Sequence, residues 1–450
     1  MQRYLLKGGT IVTHNEKIKK DVLIEGERIL QVETDIKNDL SVEIIDCHNQ
    51  LIFPGIIDTH THMGIPIKSG YSIDGFESGS KSAIHGGVTT ILDFTILKHN
   101  QTLIESITSR KKQATKSICD YSFHCNITYF SDDILSEIPN LIKDGINSFK
   151  VFTTYEEAGM MLTYDEIYKI AQVISDNNGI LMVHAEDNDI LKEAMIPFSN
   201  RIITEPIYHA RSRPDEAEEK AIRKLGEISD ETGCLIYIVH ISSARGLKIA
   251  KQFNNLIIET CPQYLLLDET AYNRGDGRMF VASPPLRKTT DNKRLWDGLI
   301  EEHILTIGTD HCPFLTSDKL KNIHFTKIPN GMGGIETLFP ILLAKWIKSD
   351  LDLKQLSKIL SYNPAKIFGL SDRKGNIKSG IDADLVVINP NDISTNWDDN
   401  LVSVTDWNAY VKFPAIFPTN VFRRGNWVIK NSQLHNVTNG KYLKNMCIDN

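Results

Sequence analysis

The chain has 450 residues, 41% of them hydrophobic and 24% charged, with a formal net charge of −7. That length can bury a large core and is long for one compact domain. The acidic balance excludes a general nucleic-acid binder, which needs a basic excess to neutralise phosphates. No run of about 18 consecutive apolar residues is present, so no membrane-spanning helix is expected. The opening MQRYLLKGGTIV has neither the apolar run nor the small-residue cleavage site of a secretory signal. The cysteines are odd in number (Cys47, Cys119, Cys125, Cys234, Cys261, Cys312, Cys447) and lack CxxC spacing. Buried thiols in a reducing cytoplasm are the expectation.

The first 54 residues predict short strands: Tyr4–Val12 around Gly8-Gly9, Lys20–Glu25 closed by Gly26-Glu27-Arg28, Ile29–Glu33 and Val42–Cys47. Between residues 55 and 376 the texture changes to apolar runs alternating with amphipathic stretches, as βα units require. The strand candidates are Gly55–Thr59, Thr89–Phe94, Tyr121–Thr128, Ser148–Phe152, Ile180–His184, Leu235–Ile241, Leu256–Thr260 and Ile304–Thr309. Helical patterns fall at Gln101–Lys116, Asp165–Asn177, Asp215–Thr232, Ala244–Gln252 and Lys293–Glu301, and residues 310–330 read as a long loop before helices that include Leu353–Tyr362. Eight such units over about 250 residues match a TIM (β/α)8 barrel. A doubly wound sheet competes, but no Gly-rich phosphate loop follows the first strand. The far end is β-rich again at Ala383–Ile388 and Asn420–Lys430. The expected organisation is therefore a β-sandwich from 1–54 and 377–450, split by a barrel over 55–376.

The sharpest local signal is Ile57-Asp58-Thr59-His60-Thr61-His62. Side chains two apart on a strand point the same way, so His60 and His62 can reach one metal. An HxH alone is weak; its place at the end of the first barrel strand strengthens it. Lys150, His184, His240 and Asp310 end or follow later strand candidates in the same way. All would converge on the C-terminal mouth of the barrel, where such folds place their chemistry. One histidine at a strand end is ordinarily a satisfied rim residue; four with an acid are not explained so easily. Lys150 is the odd member, because an ammonium repels divalent metals and its plain reading is a salt bridge. Reaction of its amine with carbon dioxide would give an anionic carbamate whose two oxygens could bridge two metals.

The segments PGIIDTHTH, GGVTTILDF, SFKVFTTY, VHAED, ARSRPDEAE, ETCPQYL, SPPLR, GTDHCPF and FTKIPNG together resemble the cyclic amidohydrolases, in their dihydropyrimidinase and hydantoinase branch. The resemblance implies a TIM barrel with a flanking β-sandwich and a two-metal centre. His60 and His62 would bind one ion with Asp310, His184 and His240 the other, and carboxylated Lys150 would bridge them. Zinc is the expected metal from imidazole and carboxylate ligands. A bridging hydroxide would attack the ring carbonyl, with Asp310 carrying its proton to the leaving nitrogen. Tyr155 matches the family tyrosine that stabilises the oxyanion, its alternative being packing against Glu156–Met161. Ser283 and Asn330 match residues that hold the ring's amide edge, although Ser283 precedes two prolines and Asn330-Gly331 is also a common turn pair.

The substrate so implied is a small cyclic amide or ureide such as dihydrouracil or hydantoin, with no nucleic-acid or membrane partner, and the assembly a homotetramer. Dihydroorotase and allantoinase share the metal set. Dihydroorotases carry an arginine where this chain has Gly64, and allantoinases a Pro-Gly-Arg run where it has Pro66-Ile67-Lys68. The substrate loop Met63–Ser72 departs from the Pro-Phe-Gly-Gly run of the hydantoinase branch. A cation for a substrate carboxylate could still come from Lys68, Arg211 or Arg213. A metal-free scaffold relative is the non-enzyme alternative, and it predicts gaps in the ligand set.

Overall fold

The computed structural model describes residues 2–37, 41–67, 70–199, 201–321, 323–435 and 437–445. Lys68, within the expected substrate loop, and Cys447 lie outside the described residues. The other six cysteines are buried and unpaired.

Among the described residues, eight parallel strands form the barrel: β1 (Ile56–Thr61), β2 (Val88–Phe94), β3 (Asp120–Asn126), β4 (Ser148–Phe152), β5 (Ile180–His184), β6 (Leu235–Ile238), β7 (Leu256–Thr260) and β8 (Thr306–Ile307). Each pairs with the next in chain order. Closure comes where the chain leaving β8 returns to β1: Thr61 bridges His311, and the His62 amide donates to the His311 carbonyl at 3.0 Å. β1 and β2 are buried along their whole length, as parallel strands covered by helices must be. Ile57, Leu92, Phe94, Met182 and Tyr237 fill the interior together with Phe368, Leu370 and Leu443.

Helices start where capping chemistry allows. Thr102 with Glu105 and Thr163 with Glu166 form capping boxes for Leu103–Gln113 and Tyr164–Asp176. The helix Asp132–Lys143, capped by Ser131, escapes the sequence pattern because Pro139 lies inside it. Two expected strands are shorter than their apolar runs. Leu235–Ile241 stops at Ile238, and Ile304–Thr309 contracts to Thr306–Ile307. The chain turns left-handed soon afterwards, at His240 (φ 41°) and Asp310 (φ 52°), which no strand can accommodate. The long loop expected over 310–330 contains the short helix Thr316–Leu320 and a 3₁₀ turn at Phe325–Lys327.

Both chain ends fold together beside the barrel. Leu51–Pro54 pairs antiparallel with Leu385–Ile388 at the centre of a seven-stranded sheet, counted over the described residues. A four-stranded sheet centred on Arg3–Lys7 and Asp21–Glu25 packs against it through Tyr4, Leu6, Val22, Ile24, Ile52, Leu385, Phe422 and Trp427. The last described segment crosses back to the barrel, where the Leu443 amide donates to the Tyr121 carbonyl at 2.8 Å.

A buried ion cluster joins barrel and terminal sheets. The Lys374 ammonium lies 2.7 Å from Asp120 at the start of β3, 2.6 Å from Asp384 and 3.2 Å from Asp382. Arg424 adds a second contact to Asp120 at 2.9 Å. Removing one partner of such a cluster strands the others in a low-dielectric interior. Lys374→Met is therefore expected to lower unfolding free energy by about 3–5 kcal/mol. Denaturant titration checks this, and a loss below about 1 kcal/mol would show the cluster to be hydrated.

Candidate metal centre

His60 and His62 leave the end of β1 on the same side, and Asp310 faces them from beyond β8. The His60 and His62 Nε2 atoms lie 3.2 Å apart, and Asp310 Oδ1 lies 3.2 Å and 3.0 Å from them. Three lone-pair donors meet at one point, an arrangement that suits a cation. A second pair sits beside the first. His184, the last residue of β5, brings Nδ1 within 3.0 Å of His240 Nε2. The His60 and His240 ring centroids are 5.4 Å apart, so both pairs share one cavity.

The nitrogens turned away from this cavity are held by carboxylates. Glu259 in β7 accepts from His60 Nδ1 at 2.7 Å, and Glu186 from His184 Nε2 at 2.7 Å. With a metal bound, each bond would favour the tautomer whose free lone pair points inward, the outer-layer pattern of metal-binding histidines. His60, His62 and Asp310 thus fit one divalent ion, and His184 and His240 offer two further donors beside it. His240 has no such carboxylate: its Nδ1 is buried without a hydrogen-bond partner among the described residues. Its backbone amide instead donates to Glu259 at 3.1 Å. Burial raises the Asp310 carboxyl, but His60 and His62 more than reverse this and hold it well below the usual carboxylate range.

Lys150, in the middle of β4, is buried, with its ammonium 5.3 Å from the Phe94 ring. Phe94 in turn packs on His60 and His62, at 4.8 Å and 5.0 Å between centroids. Burial, opposed by Glu259 and Asp310, pulls the Lys150 amine down to about 7. An amine of that basicity is about half neutral near pH 7, and that half is nucleophilic.

Tyr155 follows β4 in a left-handed conformation (φ 69°), its ring centroid 4.9 Å from that of His184. Burial pushes its phenol up to about 12, so it stays a donor at neutral pH. The nearby Ser283 hydroxyl lowers the phenol, against the larger effect of burial. Asn330 Nδ2 donates to Ser283 Oγ at 3.0 Å. The three side chains form one continuous polar edge beside the histidines.

Residues 51–428 match the family model for the amidohydrolase family. The chain belongs to that family. It is 34% identical over 453 residues to the D-hydantoinase of Geobacillus stearothermophilus, covering 98% of this chain and 96% of that protein. It is 35% identical over 398 residues to a D-phenylhydantoinase of Escherichia coli, covering 86% of each. The crystal structure of dihydropyrimidinase from Brevibacillus agri superposes with a TM-score of 0.96 at 32% identity, over 100% of both chains. The L-hydantoinase (dihydropyrimidinase) of Arthrobacter aurescens gives 0.88 at 25% identity, over 97% and 98%. This amidohydrolase therefore stands in the hydantoinase and dihydropyrimidinase branch, in a family whose members use binuclear metal centres.

Sequence patterning leaves the outer layer of the centre unmarked. Glu259 sits in an apolar strand run and meets a histidine 199 residues earlier, so no local signal reveals it. Glu186 stands in VHAED without a visible role. Arg213, considered above as a carboxylate holder, is committed to Glu186 at 3.1 Å through Nε and by a second contact through Nη2. Gly308 offers a sharp check on the packing. A Cβ there would lie 2.6 Å from Glu259 Oε2 and 2.7 Å from His60 Cβ. Gly308→Ala is expected to displace His60, lowering metal affinity by about 10–100-fold. Metal analysis after dialysis against a weak chelator reads this, and wild-type retention would refute the tight packing.

Proposed function

We propose that the centre formed by His60, His62, Lys150, His184, His240 and Asp310 opens a ring amide or imide by hydrolysis. The chain is a cyclic amidohydrolase by family and relatives; the assignment of residues to roles is our reading. The observation that carries it is the facing pairs of histidine nitrogens, each pair with one outward nitrogen fixed by a buried carboxylate. His60, His62 and Asp310 hold one divalent ion in this reading, and His184 and His240 the other. A carboxylated Lys150, formed when its amine attacks carbon dioxide and releases a proton, would supply carboxylate oxygens to both. Zinc suits these ligands. Bound there, the ions supply Lewis acidity that polarises a ring carbonyl and lets water act as a nucleophile at neutral pH.

The chain's own residues supply the rest. Asp310 accepts the proton of the attacking water and delivers it to the ring nitrogen as the C–N bond breaks. The Tyr155 phenol donates to the carbonyl oxygen as negative charge builds there. Ser283 and Asn330 hold the –CO–NH–CO– edge of the ring. We assign residues 55–376 to the hydrolase domain and 1–54 with 377–450 to the β-sandwich. A cytoplasmic homotetramer is the proposed working form, and light scattering giving a 50.9 kDa monomer would refute the assembly.

Metal analysis of three proteins tests the centre. Wild type is expected to hold about two divalent ions per chain. Asp310→Asn is expected to keep much of that metal while losing most activity; equal loss of both would make Asp310 a ligand only. Lys150→Ala is expected to lose metal and turnover together, with slight rescue by a short carboxylic acid. Because the Lys150 amine must be neutral to react, reconstitution of metal-free enzyme at a fixed concentration of dissolved carbon dioxide should quicken from about pH 6 to about pH 8. An unmodified Lys150 in active, metal-loaded enzyme would end the carbamate proposal.

Substrate choice rests on Gly64. Its backbone is left-handed (φ 58°) and its amide donates to the Asp74 carbonyl at 2.6 Å, so an arginine there would be strained. Burying a substrate carboxylate without a partner costs several kcal/mol. Steady-state assays are expected to show opening of dihydrouracil or hydantoin, with little turnover of dihydroorotate. Catalytic efficiency on dihydroorotate or allantoin at least about tenfold above both rings would overturn the choice and leave the metal assignment intact.

A further inference from the structure

Arg213 occupies an unusual position between the two halves of the chemistry. Its guanidinium reaches both oxygens of Glu186, whose Oε2 accepts from the outward nitrogen of His184 at 2.7 Å. The same guanidinium carbon lies 5.4 Å from the centroid of the Tyr155 ring. Glu186 is fully buried and the Arg213 side chain is 14% exposed, so the pair acts where water screens little. The arginine itself is anchored, because Arg287 Nη1 donates to the Arg213 carbonyl while Arg287 Nε donates to Ser242 Oγ at 3.1 Å. Tyr155 needs such a neighbour. Its ring, on a left-handed backbone, packs against Phe152, His184 and Arg213.

We propose that Arg213 is a shared positioning residue: its edge fixes Glu186 and thereby His184, and its face fixes the Tyr155 ring. One side chain would then register the oxyanion donor against the metal-binding histidine. The planar fork of arginine is what permits this. It can engage a carboxylate at two points and still present a flat cationic face to an aromatic ring, whereas a lysine ammonium is a point charge that can do only one of these at a time. The inference rests on the roles proposed above for His184 and Tyr155, but not on Arg213 touching substrate.

The test is Arg213→Lys, with zinc as the probe. Calorimetric titration of metal-free protein is expected to show the weaker zinc site losing about 10–100-fold in affinity, the range for outer-layer partners of metal ligands. With the zinc-loaded enzyme, kcat on the ring that wild type opens should fall at least about tenfold, and KM should change far less. Tyr155→Phe should then cost a much smaller factor in the Arg213→Lys background than in wild type. In a Glu186→Gln background it should keep its full cost, because the aromatic contact is untouched. Wild-type zinc affinity in Arg213→Lys, or an undiminished Tyr155→Phe cost in it, would overturn the proposal. Should circular dichroism show Arg213→Lys unfolded, Arg287→Lys loosens the anchor without altering the Arg213 side chain, at the cost of the contact to Ser242. A severalfold loss of zinc affinity there supports the proposal, and unchanged affinity refutes it. Wild type that binds two zinc ions but opens no ring would sink the proposed reaction while leaving the zinc arm decisive for Arg213.

Discussion

The buried carboxylate of Glu259 is the constraint around which the catalytic end of the barrel is built. One oxygen accepts from the Thr59 hydroxyl at 2.7 Å and the Tyr237 phenol at 2.8 Å. The other accepts from His60 Nδ1 at 2.7 Å and the His240 amide at 3.1 Å. A single group from β7 thereby ties β1 to the chain leaving β6, and sets a ligand of each proposed metal ion. An unpaired carboxylate at zero exposure would be untenable. Burial does push this one up, but His60 and the two hydroxyls hold it below its ordinary value. It is a permanent anion directly behind the site, and it stabilises cationic charge in front of it.

The parts of this protein legible in its sequence are those whose signal is local. Apolar runs marked the barrel strands, since parallel strands buried on both faces read as continuous hydrophobic stretches. Polar residues at the ends of those runs marked His60, His62, His184, His240 and Asp310, because a strand end is where an inward side chain meets the barrel mouth. Tyr155, Ser283 and Asn330 came from family resemblance alone, and the structure brings them to one edge without testing what they do. What stayed hidden depends on non-local pairing. Glu259 and Glu186 interrupt or follow apolar segments as many structural acids do, and only their partners disclose them. The early ends of β6 and β8 were likewise invisible, because backbone conformation at His240 and Asp310 answers to the assembled site rather than to propensity.

The opposite end of the barrel solves a different problem. Lys374, Asp120, Asp384 and Arg424 bring charge from β3, the terminal sheet and the connecting segment into one buried cluster. Hydrophobic residues could fill that space with equal or better stability, so the cluster's contribution is specificity of docking. Ions must meet their partners in one geometry, whereas apolar faces can slide. The returning segment that carries Leu443 adds a main-chain link at the same place. The barrel is thus closed below by fixed ionic register and left polar and convergent above.

The left-handed backbone of His240 and Asp310 carries a consequence for how such a protein can change over time. Each non-glycine residue in that conformation costs about 1–2 kcal/mol, which glycine would not. Glycine at either position would relax the chain while erasing a proposed metal ligand. Loss of the reaction would therefore relieve backbone strain, opposed by the loss of the contacts that His240 makes with His184 and Asp310 with His60 and His62. Histidine and aspartate at these two points are residues that the fold tolerates and only the chemistry requires.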